Sequence, residues 1–440
     1  MKQLVPNLEI IGKTKDSGYK NSVFLIKTPE KKFIQLTELL FQTVAALKNE
    51  SDLASVAAIV SKQLGKEILP WQIAFLIDKK LVPLGIITDE NHTSSVKKET
   101  YDSMLGLSHR VTLLPEQLVN RVTNILRPFF LLPILITLLV SFACFDYWLF
   151  QVHGLKSSID QTVNQPFLFL LDFGLLVLSG LFHEFGHAAA CTYGGGKPGR
   201  IGSGFYLIWP AFFTDLTDVY RLNRFSRLRS DLGGVYFNAV FSLLIAGVYF
   251  LTQFEPLLII IVFQNFEILQ QLIPFIRMDG YFIVSDIVGL PDLFAKMKPI
   301  LKSILPGQDK ERVDNLKPWV IRTVILWVAV TVPLLGYYLI TMLLNIPEVF
   351  ISAKESAITQ MNAINTSFAT DDYIQAIIQG LQLIILLLPT LGIFLITYRL
   401  AISIFNISYR FIVKMRMTQK TNYHSSPIRS QPIIIFQANK

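Results

Sequence analysis

The segment Leu181-Phe-His183-Glu184-Phe-Gly-His187-Ala sets two imidazoles four residues apart, with a carboxylate beside the first. On a helix such positions share a face one turn apart, so both rings can reach a single Zn²⁺ while Glu184 takes a proton from an attacking water. The chain has only 6 histidines, which makes the pairing hard to ascribe to abundance. A catalytic zinc takes three protein ligands and keeps one position open. The third ligand must come from elsewhere in the chain. Met278-Asp279-Gly280-Tyr281 offers Asp279, although an Asp-Gly pair is also a common turn. Asp215, Asp218, Glu267 and Asp231 are rival candidates.

The residues around these motifs are those of a membrane protein. Hydrophobic residues make up 52% of the 440 and charged residues 16%. Six apolar segments, at 128–150, 166–192, 234–252, 256–276, 321–344 and 374–400, are each long enough to cross about 30 Å of hydrocarbon. Basic residues gather before the first segment (Arg110, Arg121, Arg127), between the second and third, between the fourth and fifth, and after the sixth. By the positive-inside rule both termini then face the cytoplasm, and 345–373 lies outside. The same distribution accounts for the net charge of +8, so nucleic acid is not an expected partner. Two cysteines, Cys144 and Cys191, lie in or beside apolar runs and build neither a disulfide framework nor a cysteine metal site. The N-terminus has no apolar stretch of signal-peptide type, so the first internal span is expected to direct insertion.

In this topology the second and fourth segments both run inward. His183 and Asp279 therefore reach the cytoplasmic side at one depth. The stretch 201–213 is apolar but too short and too rich in glycine and β-formers for a spanning helix, and reads as a re-entrant hairpin lining a site. Its Phe205 and Tyr206, with Asn238 at the start of the third segment, are the candidate substrate-binding residues. Asp172 shares the helix face of His183 and either lines a wet cavity or lies at the outer interface. Glu267, Asn265, Gln270 and Gln271 make the fourth segment polar enough for hydrogen bonds between helices. His153 reads as a solvated loop residue, and His92, His109 and His424 have no partners at ligand spacing.

Residues 1–95 form a separate soluble domain: short strands, including Val23-Phe-Leu-Ile26 at an edge, helices near 37–48, 52–64 and 70–80, and a closing apolar strand at 81–87. This element order suggests a winged-helix-like α+β arrangement. A linker with an amphipathic stretch follows at 96–127, then the membrane domain at 128–410 and a tail at 411–440.

His183-Glu184-x-x-His187 inside a span, followed by Asp279-Gly280 after a later one, resembles the site-2 protease family of intramembrane zinc metalloproteases over residues 166–290. The resemblance implies one Zn²⁺ per chain held by His183, His187 and Asp279, with Glu184 as the catalytic carboxylate and a β-hairpin beside the metal. Gly234-Val-Tyr-Phe-Asn238 keeps the glycine and asparagine of a family motif but has Val235 in place of proline. Thr214-Asp-Leu-Thr-Asp-Val-Tyr220 and Asp279 to Asp286 look like the peptide zinc metalloproteases found with ribosomally made, modified peptides. That likeness implies a peptide precursor as substrate, with its leader segment bound by residues 1–95. A signalling protease acting on membrane-anchored proteins, and a non-hydrolytic transport or immunity protein on the same fold, are the other readings.

Overall fold

The computed structural model describes residues 3–14, 16–30, 33–88, 108–164, 168–206, 209–274, 277–304 and 311–418. Most of the 96–107 linker and of the tail after 418 lie outside the described residues, as do His92, His424 and the side chain of His109.

The N-terminal domain is a small sheet packed on helices. Strands β1 (Gln3–Leu4), β2 (Glu9–Lys13), β3 (Val23–Lys27) and β4 (Phe33–Thr37) precede helices α1 (Glu38–Leu47), α2 (Leu53–Leu64) and α3 (Pro70–Leu76), a π-helical turn at Ile77–Leu81, and β5 (Ile87–Thr88). β2, β3 and β4 form an antiparallel sheet in that order, and β1 pairs with β5. Alternation sends Ile26, Ile34 and Leu36 to one face, where they close a dry core with Val44, Val56, Val60, Ile73 and Leu81. Asp52 caps α2 by accepting from the Ser55 amide at 2.9 Å, and Gly65 closes the helix in the left-handed region. Two expectations change. Val23–Lys27 is the central strand, hydrogen-bonded on both sides, so the sheet edges are β2 and β4. Most of the closing segment 81–87 is helical turn, with pairing confined to its end.

The rest of the chain is a helical assembly with one sheet. Strand β6 (Ser108–Leu114) leads into α4 (Glu116–Leu126), a 3₁₀ turn, and α5 (Leu132–Tyr147), which a π-helical turn prolongs to His153. Then come α6 (Lys156–Asn164), α7 (Leu168–Tyr193), β7 (Ile201–Tyr206), β8 (Trp209–Thr214), a 3₁₀ turn (Thr217–Arg221), α8 (Arg224–Thr252) and α9 (Leu257–Leu272). The chain continues through α10 (Asp279–Val288), α11 (Leu293–Ile304), α12 (Glu311–Asp314), α13 (Pro318–Ala369) and α14 (Tyr373–Thr418). Among the described residues 4 helices are long and apolar enough to cross a membrane: Leu132–His153, Arg224–Thr252, Pro318–Ala369 and Tyr373–Ser403. Helix α7, with 26 residues, packs chiefly along α8, while α9 is shorter at 16 residues.

The segment expected as an outer loop at 345–373 is almost wholly helical. At 52 residues α13 runs about 78 Å, far beyond a hydrocarbon core, before a turn at Thr370–Asp372 sends α14 back along it. Gln360 Nε2 donates to Gln382 Oε1 at 2.7 Å and Ser367 Oγ to Gln379 Oε1 at 3.0 Å across the distal part of this hairpin. These polar pairs give the two helices a contact where the apolar run has ended.

The two parts of the chain are tied together through residues 16–20. The Gly18 amide donates to the Gly289 carbonyl at 3.0 Å, just past the end of α10, and the Lys317 amide to the Gly18 carbonyl at 3.0 Å, just before α13. A Cβ on Gly18 would stand 2.5 Å from the Val288 carbonyl oxygen, so the loop fits there only as glycine. Lys27 pairs with Asp218 at 3.0 Å and Phe33 meets Tyr220 at a ring distance of 6.1 Å. Asp286 on α10 and Arg227 on α8 form a buried ion pair at 3.1 Å behind this contact.

Candidate metal centre

Three helices bring the site together. α7 supplies His183 and His187, α10 supplies Asp279 as its first residue, and α8 lies behind the two rings. α7 and α8 approach closely because both are glycine at the crossing. A Cβ on Gly233 would lie 2.5 Å from the Gly186 carbonyl oxygen. One residue on, a Cβ at Gly234 would lie 2.5 Å from both His183 Cε1 and His187 Nε2, the space the imidazoles occupy. Gly280 is likewise required, since its α-carbon lies against the backbone of Leu272 and Ile273 at the end of α9. Asp279 is therefore not a turn residue. It opens a helix, where the unpaired amides of the first turn favour a negative charge.

The ligand atoms converge. His183 Nε2 and His187 Nε2 are 3.0 Å apart, and Asp279 Oδ2 lies 3.3 Å from each. Both histidines are buried, and the three groups can each offer one atom within a span of 4.8 Å. The far nitrogens fix how the rings present themselves. His187 Nδ1 lies 2.7 Å from the Ser230 carbonyl, which can only accept, so Nδ1 carries the hydrogen and Nε2 turns its lone pair inward. His183 Nδ1 lies 3.2 Å from Asn238 Oδ1, which orients that ring in the same way. Three electron-rich atoms then face one another. Asp279 Oδ2 is a buried oxygen with no hydrogen-bond donor. A cation answers both problems at once, and a nitrogen–nitrogen–carboxylate set suits a borderline divalent metal such as Zn²⁺.

Of the rival third ligands, the structure brings only Asp279 to the histidines. Asp215 receives the Thr217 amide and hydroxyl, and Asp218 pairs with Lys27 and accepts the Lys197 amide at 3.1 Å. Glu267 accepts from Gln264 on its own helix; of the polar residues expected to bond between helices Asn265 does so, donating to Asp146 at 3.1 Å, and Gln264 also reaches Ser179 at 2.7 Å. Asp231 is not part of the ligand group.

The substrate-binding expectations fare differently. Asn238 is fully buried and turned to His183, so it orients a ring and is not open to a peptide. Phe205 sits at the tip of the β7–β8 hairpin opposite Pro210, four strand positions, roughly 13 Å, from the end of the hairpin that touches α7. Tyr206 pairs with Trp209 at the same tip, and its side chain lies outside the described residues. Thr214 marks the near end: its hydroxyl lies 2.6 Å from Glu184 Oε2.

Several contributors were not anticipated. Ser230 acts through its carbonyl, which every residue type carries, so no sequence signal could reveal it. Gly186 and Gly233 did leave one, as small residues on two neighbouring apolar helices. β6 was read as part of an amphipathic stretch, yet it adds a third strand beside β7, with Gly202 passing close under the Val111 carbonyl. His153 is not a free loop residue, because it stacks on Trp148 and meets Glu255 at 3.2 Å. Asp172 is buried, and neither carboxylate oxygen has a hydrogen-bond partner among the described residues.

No family model, curated protein or solved structure matches the chain.

Proposed function

We propose that the protein is a membrane-embedded zinc metalloprotease that hydrolyses a peptide bond near the cytoplasmic face. The observation that carries the reading is the convergence of His183, His187 and Asp279 with their outer nitrogens already engaged, and Glu184 adjoining the first ligand. A zinc ion held there would polarise the scissile carbonyl and lower the pKa of the attacking water. Glu184 takes the proton from that water and returns it to the leaving amine. Ser230 and Asn238 hold the two imidazoles so that neither ring turns a hydrogen toward the metal.

A peptide substrate is extended, and a sheet edge can receive it by strand addition. β7 is paired on both sides, so the edges of the sheet are β6 and β8, and β8 is the one that ends beside Glu184. In the membrane this sheet is a re-entrant element, α7 and α9 complete a six-span topology with both termini in the cytoplasm, and residues 1–95 are a winged-helix-like domain that binds the substrate's leader segment. The leader role fits a domain whose helix α3 leaves Trp71 and Phe75 exposed to solvent. A maturation role for ribosomally made peptides follows from the likeness of 214–220 and 279–286. A non-hydrolytic binding module would need the three ligands but not Glu184.

Purified full-length protein in detergent should hold about one zinc per chain and cleave members of a mixed fluorogenic peptide library. Glu184→Gln should keep the zinc and slow cleavage by about 10²- to 10⁴-fold. Zinc bound with no cleavage by the wild type, and full cellular function of Glu184→Gln, would establish the binding module instead.

A further inference from the structure

The β7–β8 hairpin does more than lie beside α7. Thr214, the last residue of β8, is buried, and its hydroxyl lies 2.6 Å from Glu184 Oε2 and 3.1 Å from the Glu184 carbonyl. A hydroxyl has one hydrogen, and the shorter, charge-assisted contact to the carboxylate takes it. Thr214 is fixed in turn by the strand, through its register opposite Ile201, a residue with no exposed surface. His183 and His187 reach α8, while Glu184, next to His183 on α7, reaches the sheet.

We infer that Thr214 is a positioning residue for Glu184: its hydroxyl anchors one carboxylate oxygen and so keeps the group available as a base instead of a fourth metal ligand. The inference rests on the metalloprotease reading. A glutamate next to a ligating histidine, with three ligands already in place, has the reach to occupy the open coordination position if nothing restrains it. A neighbouring hydroxyl donor is such a restraint, because it satisfies one oxygen and fixes the carboxylate plane. The arrangement also joins recognition to chemistry: the residue that sets the base terminates the strand whose open edge would receive the substrate.

Two variants separate the hydroxyl from the shape of the side chain. Thr214→Val keeps the β-branched volume and removes the donor, whereas Thr214→Ser keeps the donor. Full-length protein is loaded with Co²⁺, whose visible absorption reports its ligand set without any substrate. Thr214→Val should show a changed Co²⁺ spectrum at unchanged stoichiometry, and Thr214→Ser the wild-type spectrum. With a fluorogenic peptide that the wild type cleaves, Thr214→Val should lower kcat by about 10- to 100-fold at a similar KM, as expected for losing a hydrogen bond to a charged group, with Thr214→Ser restoring it. In a Glu184→Gln background Thr214→Val should have little further effect, because the two changes act through one group.

Identical Co²⁺ spectra and kcat for wild type and Thr214→Val would overturn the positioning role while leaving the protease reading intact. Additive losses in the double variant would show that Thr214 supports only the strand. No Co²⁺ bound by the wild type would overturn the metal site and this inference with it.

Discussion

A histidine cluster packs against helix α8 toward each of its ends, and the two are built on opposite principles. Toward its beginning, His183 and His187 point their Nε2 atoms at each other and at Asp279 Oδ2. Toward its end, Glu255 gathers the Ser158 hydroxyl at 2.7 Å, the Tyr249 hydroxyl at 3.2 Å and His153 at 3.2 Å, while His153 stacks on Trp148. In the second cluster donors and acceptors are matched, and the group ties the end of α5, α6 and the α8–α9 turn into one latch. In the first, with both imidazoles neutral, they are mismatched, which is what a metal ion would resolve. Histidine with a carboxylate is thus no signature of a metal site; unmatched lone pairs converging on one point are.

The largest effect that would sharpen this contrast is on metal content. His183→Ala and Asp279→Ala should each bring bound zinc from about one per chain to near zero, whereas Glu255→Gln should leave it unchanged. Elemental analysis of the purified variants decides it. Zinc retained in Asp279→Ala would return the third ligand to the competition among Asp215, Asp218 and Glu267. A smaller loss is expected one layer out. Asn238→Ala removes the acceptor that orients His183 and should weaken zinc binding by about 10- to 100-fold, as second-layer changes do, measurable by competition with a chromophoric chelator. An unchanged affinity would mean that packing alone sets the ring.

The same contrast explains what could be read in advance. The two histidines and Asp279 were legible because each sits in a short motif, and the fold brings the two motifs together. The N-terminal helices were legible through the periodicity of their apolar residues. The outer latch was not, because Ser158, His153, Tyr249 and Glu255 are spread over 103 sequence positions with no spacing rule. The order of β2, β3 and β4 was hidden for a related reason: strand content is local, but which strand lies at an edge depends on pairing. α13 outran its apolar run because helix continuation in its distal half rests on contacts with α14 that hydropathy does not register.

The motif residues that do not touch the metal mark a second boundary. Asp218 and Tyr220 meet Lys27 and Phe33, so the stretch 214–220 serves the contact with the N-terminal part, while Asp286 ties α10 to Arg227 on α8. Because α10 begins at Asp279 and ends against Gly18, that contact bears on the metal through a single short helix. Gly18→Val should therefore loosen the domain contact and lower zinc affinity by several-fold, less than Asn238→Ala, since it acts at the far end of α10. Limited proteolysis and chelator competition on one preparation test both halves. A loosened domain with unchanged zinc affinity would uncouple the two.

The smallest expected effect belongs to the outer latch and is read in pH. Glu255 lies in the turn between α8 and α9. Burial there raises its pKa, but the hydrogen bonds from Ser158, His153 and Tyr249 outweigh that and hold it below the ordinary value of 4.5. A carboxylate whose pKa is lower in the folded than in the unfolded state stabilises the fold above the unfolded value, and that contribution is lost as pH falls through the folded one. The latch should hold at neutral pH and release only in acid, where protonation of Glu255 withdraws the acceptor that three donors share. Glu255→Gln should lower the apparent Tm at pH 7 by roughly 2–4 °C, a small shift because the cluster is partly open to solvent. As pH falls from the ordinary value of 4.5 through the lowered folded one, the wild type and the variant should converge, since the wild-type carboxyl then becomes neutral as well. A difference that persists unchanged into acid would mean that the Glu255 charge contributes nothing and that the latch is held by the stacking of His153 on Trp148 alone.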